Sequence, residues 1–225
     1  MMWGWVTGAL IVLGLGAHGG ATERSATGSA QQLADALQKR YDRVADFSAD
    51  FVHVYKGGVL RQQLTERGRM SIKKPGKMRW EYSAPERKVF VSDGTKLFFY
   101  VPSDKQVLVS AVPPPDQGTT PALFLAGQGD LTRDFTASHV PGPIGGDTSV
   151  RALKLTPKTR QSEFEWLVLS LDANTLRLRG LESQDGQGGI SSFLFTNLKE
   201  NVGMPDKAFE FAIPRGVDVV TDGSR

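Results

Sequence analysis

Cysteine is absent from all 225 residues, and that absence removes a disulfide framework, a thiolate metal site and a cysteine nucleophile together. It also removes the thiol on which an exported lipoprotein carries its acyl chains. Histidine is scarce: of three, His18 lies in the apolar N-terminal stretch, His53 in a strand pattern and His139 in a loop. None has the H-x-x-x-H spacing of a metal site. An excess of one charge is missing too. The 27 basic and 24 acidic side chains leave a net +3, too little for a nucleic-acid footprint. There is no G-x-S-x-G elbow. Gly76-Lys77 runs into Met78 instead of completing a P-loop, and Gly127-Gln128-Gly129 lacks the third glycine of a dinucleotide fingerprint. Asp42, Asp46 and Asp50 are spaced as paired acids could be, but read more simply as the solvated side of a helix end. These absences argue against an enzyme and imply no metal and no cofactor.

What is present begins with an address. Val6 to Gly16 is an uncharged apolar run followed by small residues to Ala21, and no Asp, Glu, Lys or Arg precedes Glu23. The run is short of the roughly 20 residues of a membrane span. It suits a secretory signal over residues 1–21, leaving a mature domain of 22–225. Met1 to Trp5 lacks the usual basic residue, so an uncleaved anchor is the rival reading.

From Ser29, placed as the N-cap, Leu33, Leu37, Tyr41, Val44 and Phe47 recur at helical steps. The period then drops to 2. Short alternating runs begin at Phe51, Met70, Met78, Val89, Leu97, Lys105, Val150, Phe164, Leu176, Ile190 and Phe209. Asp93-Gly94 has the composition of a tight type I′ hairpin. About eleven short strands favour a meandering antiparallel sheet curled toward a barrel. Between the two sets of strands, Pro113 to Pro115 breaks the pattern. Thr120-Pro121 then opens a short apolar helix, Ala122 to Ala126, a candidate plug or lid.

Alternation puts Lys77, Arg79 and Glu81 on one face and Met78, Trp80 and Tyr82 on the other, so the basic-aromatic interleaving here is a charged outside and an apolar inside. Phe51 or Val52, Met70, Ile72, Met78, Trp80, Leu97, Phe99, Phe164, Trp166, Phe193, Phe195, Phe209 and Phe211 form a large apolar set that composition alone cannot divide into core and cavity wall.

Several segments, in order, resemble the LolA family of periplasmic carriers of outer-membrane lipoproteins. They are the helix running into Phe47 to Phe51, Gly68 to Tyr82 (GRMSIKKPGKMRWEY) with Ala84-Pro85, Val91 to Tyr100 (VSDGTKLFFY), Thr120 to Leu125, Leu155 to Lys158, and Phe209 to Asp218 (FEFAIPRGVD). The resemblance implies an open, incomplete antiparallel β-barrel of eleven strands under a lid of short helices, and a monomeric periplasmic carrier that holds acyl chains of lipoproteins in an apolar cavity. It implies loading by the inner-membrane Lol ABC transporter and unloading to the outer-membrane receptor LolB where one exists. Lipid-lining residues would be Met70, Ile72, Met78, Trp80, Leu97, Phe99 and Trp166, and lid residues Leu123, Phe124 and Leu125. Exposing about 45 methylenes of a triacylated cargo costs about 35 kcal/mol at about 0.8 kcal/mol per CH2, so a carrier is needed, with a loose cavity and a weakly closed lid. In the family an arginine commonly precedes the proline matched by Pro75 and bonds the lid backbone. Here that residue is Lys74, a point charge in place of a planar fork, which predicts a weaker latch, a different one, or none at this position. The alternative use of the same half-barrel is a lipid-sensing or envelope-stress regulatory domain.

Overall fold

A computed structural model describes residues 20–58, 62–113, 121–127, 129–140, 149–159 and 163–221, with the backbone alone for 20–29 and 123. Helix α1 (Gly20–Asp42) runs into strand β1 (Asp46–Lys56). Strands β2 (Gln63–Lys73), β3 (Lys77–Ala84), β4 (Lys88–Asp93), β5 (Lys96–Val101) and β6 (Gln106–Ala111) follow as successive hairpins. Two short helices, α2 (Pro121–Leu125) and α3 (Leu131–Asp134), lead into β7 (Phe135–His139). The second run is β8 (Val150–Pro157), β9 (Trp166–Asp172), β10 (Leu178–Gln184) and β11 (Ile190–Glu200), and β12 (Asp218–Thr221) ends the described chain.

All twelve strands form one sheet in the order β12-β6-β5-β4-β3-β2-β1-β11-β10-β9-β8-β7. Each run is a meander, because short hairpin loops bring consecutive strands together antiparallel. The two runs join where β1 pairs with β11, Phe51 opposite Phe195 and His53 opposite Phe193. The ends of the sheet, β7 and β12, do not pair with each other, so the barrel stays open.

Register fixes the two faces, since directly opposed residues share one. Phe47, Ile72, Met78, Ser92 and Leu97 follow one another across β1 to β5, and Met70, Trp80, Phe90 and Phe99 form the next row. This inner face is the one that α1 and α2 cover. Ala30, Ala34 and Leu37 of α1 and Phe124, Leu125 and Ala126 at α2 join Met70, Ile72, Met78, Leu153, Leu155, Leu167 and Phe195 in one buried cluster. On the outer face, Val91, Phe98 and Val107 form a second cluster closed by Phe211 and Val217 of the C-terminal segment.

The structure departs from the pattern reading at five places. Ser29 is no cap, because α1 begins at Gly20 and passes through it. The β4–β5 loop is not a two-residue type I′ turn: Asp93 Oδ1 accepts from the N–H of Thr95 and of Lys96, 2.8 and 2.7 Å, and only Gly94 takes a positive φ of 99°. Phe209 to Ile213 is not a strand. A 3-10 turn at Asp206–Phe209 leads into extended chain that packs Phe211 against Phe98 and Tyr100 without joining a ladder. Two strands, β7 and β12, were not legible and bring the total to twelve. Asp46 is not a solvated helix-end acid. It is buried on β1, and its carboxylate accepts from the N–H groups of Val202, Gly203 and Met204 at 2.7 to 3.0 Å. Thr120 and nearly all of the expected signal segment lie outside the described residues.

Candidate functional site

The inner face is a wall of aliphatic, aromatic and sulfur-bearing side chains. Met70, Ile72 and Met78 have no solvent exposure and Trp80 has 4 %. Phe51 and Phe193 meet Trp80 with tilted and edge ring contacts at 5.2 and 5.5 Å, and Tyr82 packs edge-on against Phe51. Leu97 and Phe99 continue the same face onto β5 but are only half-buried, and Leu108, opposite Phe99 on β6, is 47 % exposed. Trp166 does not belong to this wall. Its register partner Gln184 stands on the outer face, as does Lys154, which is opposite Val168. Lys154 Nζ lies 5.1 Å from the Trp166 ring, and Trp166 Nε1 donates to Gln184 Oε1 at 2.6 Å. The parity count failed there because β9 starts two residues after Phe164, which is buried.

Helix α2 starts at Pro121, whose fixed φ and missing N–H suit the first helical position. It drives Phe124 and Leu125 into the inner face, where they are 5 % and 3 % exposed, and Phe124 meets Phe135 edge-on at 5.7 Å. The side chain of Leu123 lies outside the described residues. Gly127, with φ of 82°, turns the chain out of the helix. A β-carbon placed there would lie 2.6 Å from Lys74 Cδ, so the lid end and the β2–β3 turn are in close contact.

Among the described residues, two hydrogen bonds from outside tie α2 and Ala126 down, and neither comes from Lys74. The Gly76 N–H donates to Ala126 O at 2.9 Å, and the Tyr41 hydroxyl donates to Leu125 O. Lys74 works one step back: its ammonium donates to the Tyr41 carbonyl and sits 3.9 Å from the centre of the Tyr41 ring. It thereby caps the C-terminus of α1, where a cation is favoured. Burial holds the Lys74 ammonium below its ordinary range, with Asp42 opposing, and burial with Glu200 nearby pushes the Tyr41 phenol far up, so it stays a donor. The bonds onto this segment thus come from Tyr41 and the Gly76 amide and not from the residue before Pro75, a distribution that sequence spacing could not reveal.

Space under the lid is small. One apolar gap of about 30 Å³ lies between Leu37, Tyr41, Phe47, Leu125 and Leu171. A second, of about 80 Å³, is bounded by Trp80, Tyr82, Phe90, Ala122, Leu125 and Phe193. Ligand sites commonly need about 300–1,000 Å³, so this is a closed form whose interior is filled by its own lid and helix side chains. The expected loose cavity is not present in it. Leu125 borders both gaps.

Beyond Trp80 and Tyr82 the inner face turns polar. Glu66 is 4 % exposed, receives the Lys88 ammonium on Oε1, and lies 3.1 Å from His53 Nδ1 on Oε2. The His53 ring stacks on Phe193 at 4.1 Å, and Lys88 Nζ lies 4.9 Å from the centre of the Tyr82 ring. Burial keeps the His53 imidazole below its ordinary range against the opposing pull of Glu66. A neutral ring with its proton on Nδ1 donates to Glu66 and leaves Nε2 to accept from Ser191 Oγ, 3.3 Å away. Burial and Glu66 push the Tyr82 phenol up to about 12. Nothing in the pattern reading singled out this cluster, because its members come from three strands and only register brings them together.

An open antiparallel half-barrel, apolar inside and stoppered by a short helix, defines the class: proteins built to cover an apolar guest. Residues 42–212 match the family "Outer membrane lipoprotein carrier protein LolA". The outer-membrane lipoprotein carrier protein of Chromohalobacter salexigens is 35 % identical over 225 residues, covering 98 % of this chain and 97 % of that one. The same-named protein of Legionella pneumophila is 32 % identical over 191 residues, covering 84 % and 90 %. Among solved structures, an uncharacterised conserved protein from Thermus thermophilus shares the fold with a TM-score of 0.52 at 14 % identity, covering 86 % of this chain and 99 % of that one. The chain belongs to the LolA family.

Proposed function

We propose that this protein is a periplasmic carrier that takes the acyl chains of lipoproteins onto its inner face and moves them from the inner to the outer membrane. The observation that carries this reading is the lid: Phe124 and Leu125 are apolar side chains on a five-residue helix, inserted where a guest would lie. Burying them is worth about 1.5–3 kcal/mol each, and the two hydrogen bonds onto Leu125 O and Ala126 O about 1 kcal/mol each. One acyl chain of about 15 methylenes gains about 12 kcal/mol at about 0.8 kcal/mol per CH2. Cargo therefore displaces the lid, and the lid in turn helps to expel cargo without nucleotide.

Family membership supports the partners that follow from this role: acylated lipoproteins as cargo, the inner-membrane Lol ABC transporter as donor and LolB as acceptor where it exists. One chain supplies the whole sheet and its lid, so a monomer is enough for this role. Mass spectrometry of the protein purified from a periplasmic extract tests the reading. Acylated polypeptide should co-purify; free lipid alone, or a stable complex with an inner-membrane protein and no cargo, would point instead to a lipid-sensing role.

A further inference from the structure

Trp80 and Arg177 each carry a buried nitrogen without a hydrogen-bond partner among the described residues, and of the two only Trp80 lies on the inner face with no counter-ion beside it. Its side chain is 4 % exposed, and the unpaired atom is Nε1. A buried donor left unpaired carries a penalty that calls for a physical reason. Apolar residues that merely fill a core need no N–H, and an indole is chosen where one is useful.

The surroundings say what would satisfy it. Trp80 borders the apolar gap of about 80 Å³ together with Tyr82, Phe90, Leu125 and Phe193. Two of these also border the polar cluster: Phe193 stacks on His53, and Tyr82 lies beneath Lys88. On the other side, Leu125 separates this gap from the one lined by Leu37, Phe47 and Leu171. Trp80 therefore stands at the boundary between an apolar half and the charged Glu66–Lys88 pair. A guest with the same layout has a long hydrocarbon chain, then a neutral hydrogen-bond acceptor, then a polar head.

We propose that Trp80 Nε1 donates to the carbonyl oxygen of an acyl ester or amide, fixing the guest with its chain under the lid and its head toward His53, Glu66 and Lys88. This deepens the carrier reading and rests on it. The site then selects acyl groups from other hydrocarbons and sets the depth to which each chain enters.

The test compares 1-monopalmitoylglycerol with 1-O-hexadecylglycerol, which keeps the chain and head but lacks the carbonyl, on the wild-type protein and on Trp80→Phe. A synthetic tripalmitoyl-cysteinyl peptide serves as the carrier control. The wild type should bind the ester about tenfold tighter than the ether, the size of one hydrogen bond made by an otherwise unpaired donor. Trp80→Phe should bind both as the wild type binds the ether. A second reading needs no variant: the Trp80 indole 15N–1H resonance should move downfield with the ester and not with the ether. Equal binding of ester and ether by the wild type overturns the inference while leaving the carrier reading in place. So does a preference that survives Trp80→Phe, as when a resident water or a ring face satisfies the N–H. If none of the three probes binds, the carrier reading falls and the inference with it.

Discussion

Tyr41 links three parts of the molecule through one side chain and one carbonyl. Its hydroxyl holds Leu125, its ring meets the Lys74 ammonium, and its carbonyl accepts from the same ammonium. Tyr41→Phe keeps the ring and removes only the lid bond. It should lower stability by about 1 kcal/mol and speed release of a bound lipopeptide several-fold in a stopped-flow assay. Lys74→Leu should cost more, about 1.5–3 kcal/mol for a bond to a charged group, because it uncaps α1. The Lys74 ammonium bonds the lid only through Tyr41, while its stem merely packs on Gly127 and is largely kept by Leu. Its effect on release should therefore vanish in the Tyr41→Phe background; additive effects on release would show that Lys74 latches the lid directly. Asp46 supports the other side of the same corner. Asp46→Ala removes a buried carboxylate that accepts from three N–H groups, and should cost about 1.5–3 kcal/mol in urea unfolding, the worth of bonds to a charged group.

At the scale of elements, the lid and the wall respond in opposite ways. Phe124→Ala shortens the side chain that stands in for cargo. The variant should melt earlier yet bind a tripalmitoyl-cysteinyl peptide more tightly, because less of the guest's burial energy goes into displacing the lid. Met70→Ala, in the fully buried wall, should weaken both stability, by about 2–5 kcal/mol, and binding. Titration calorimetry of the two variants checks the contrast, and a parallel loss in both would reduce the lid to ordinary core. These two positions also show what a sequence discloses. Met70, Met78 and Trp80 were legible because strict alternation in β2 and β3 forces a shared face. Pro121 announced its helix. Trp166 was misplaced because nothing local marks where β9 begins, and β12, whose four residues are all exposed, has no burial pattern to read. The His53–Glu66–Lys88 cluster and the Tyr41 latch depend on contacts between residues far apart in sequence, which no local period encodes.

For the whole molecule, the open sheet has a pH dependence that follows from its polar end. Burial depresses the imidazole of His53 in the folded chain, with Glu66 and Lys88 facing it. Between that depressed value and the ordinary value of about 6.5, the unfolded chain takes up a proton that the folded chain refuses. Stability is therefore lost as pH falls through that window. His53→Gln, which keeps a donor for Glu66, should flatten this part of the melting-temperature profile between about pH 7 and 5; an unchanged slope would place the acid sensitivity elsewhere.

The central claim is that the lid occupies the place of the cargo and yields to it. Hydrogen exchange on the full-length protein, with and without a tripalmitoyl-cysteinyl peptide, reads this at single amides. The account predicts that the Gly76 amide, now bonded to Ala126 O, loses protection on binding while the amides of β2 and β3 keep or gain theirs. Increased protection of Gly76 together with the wall would contradict it, because the guest would then lie beneath a lid that never moved.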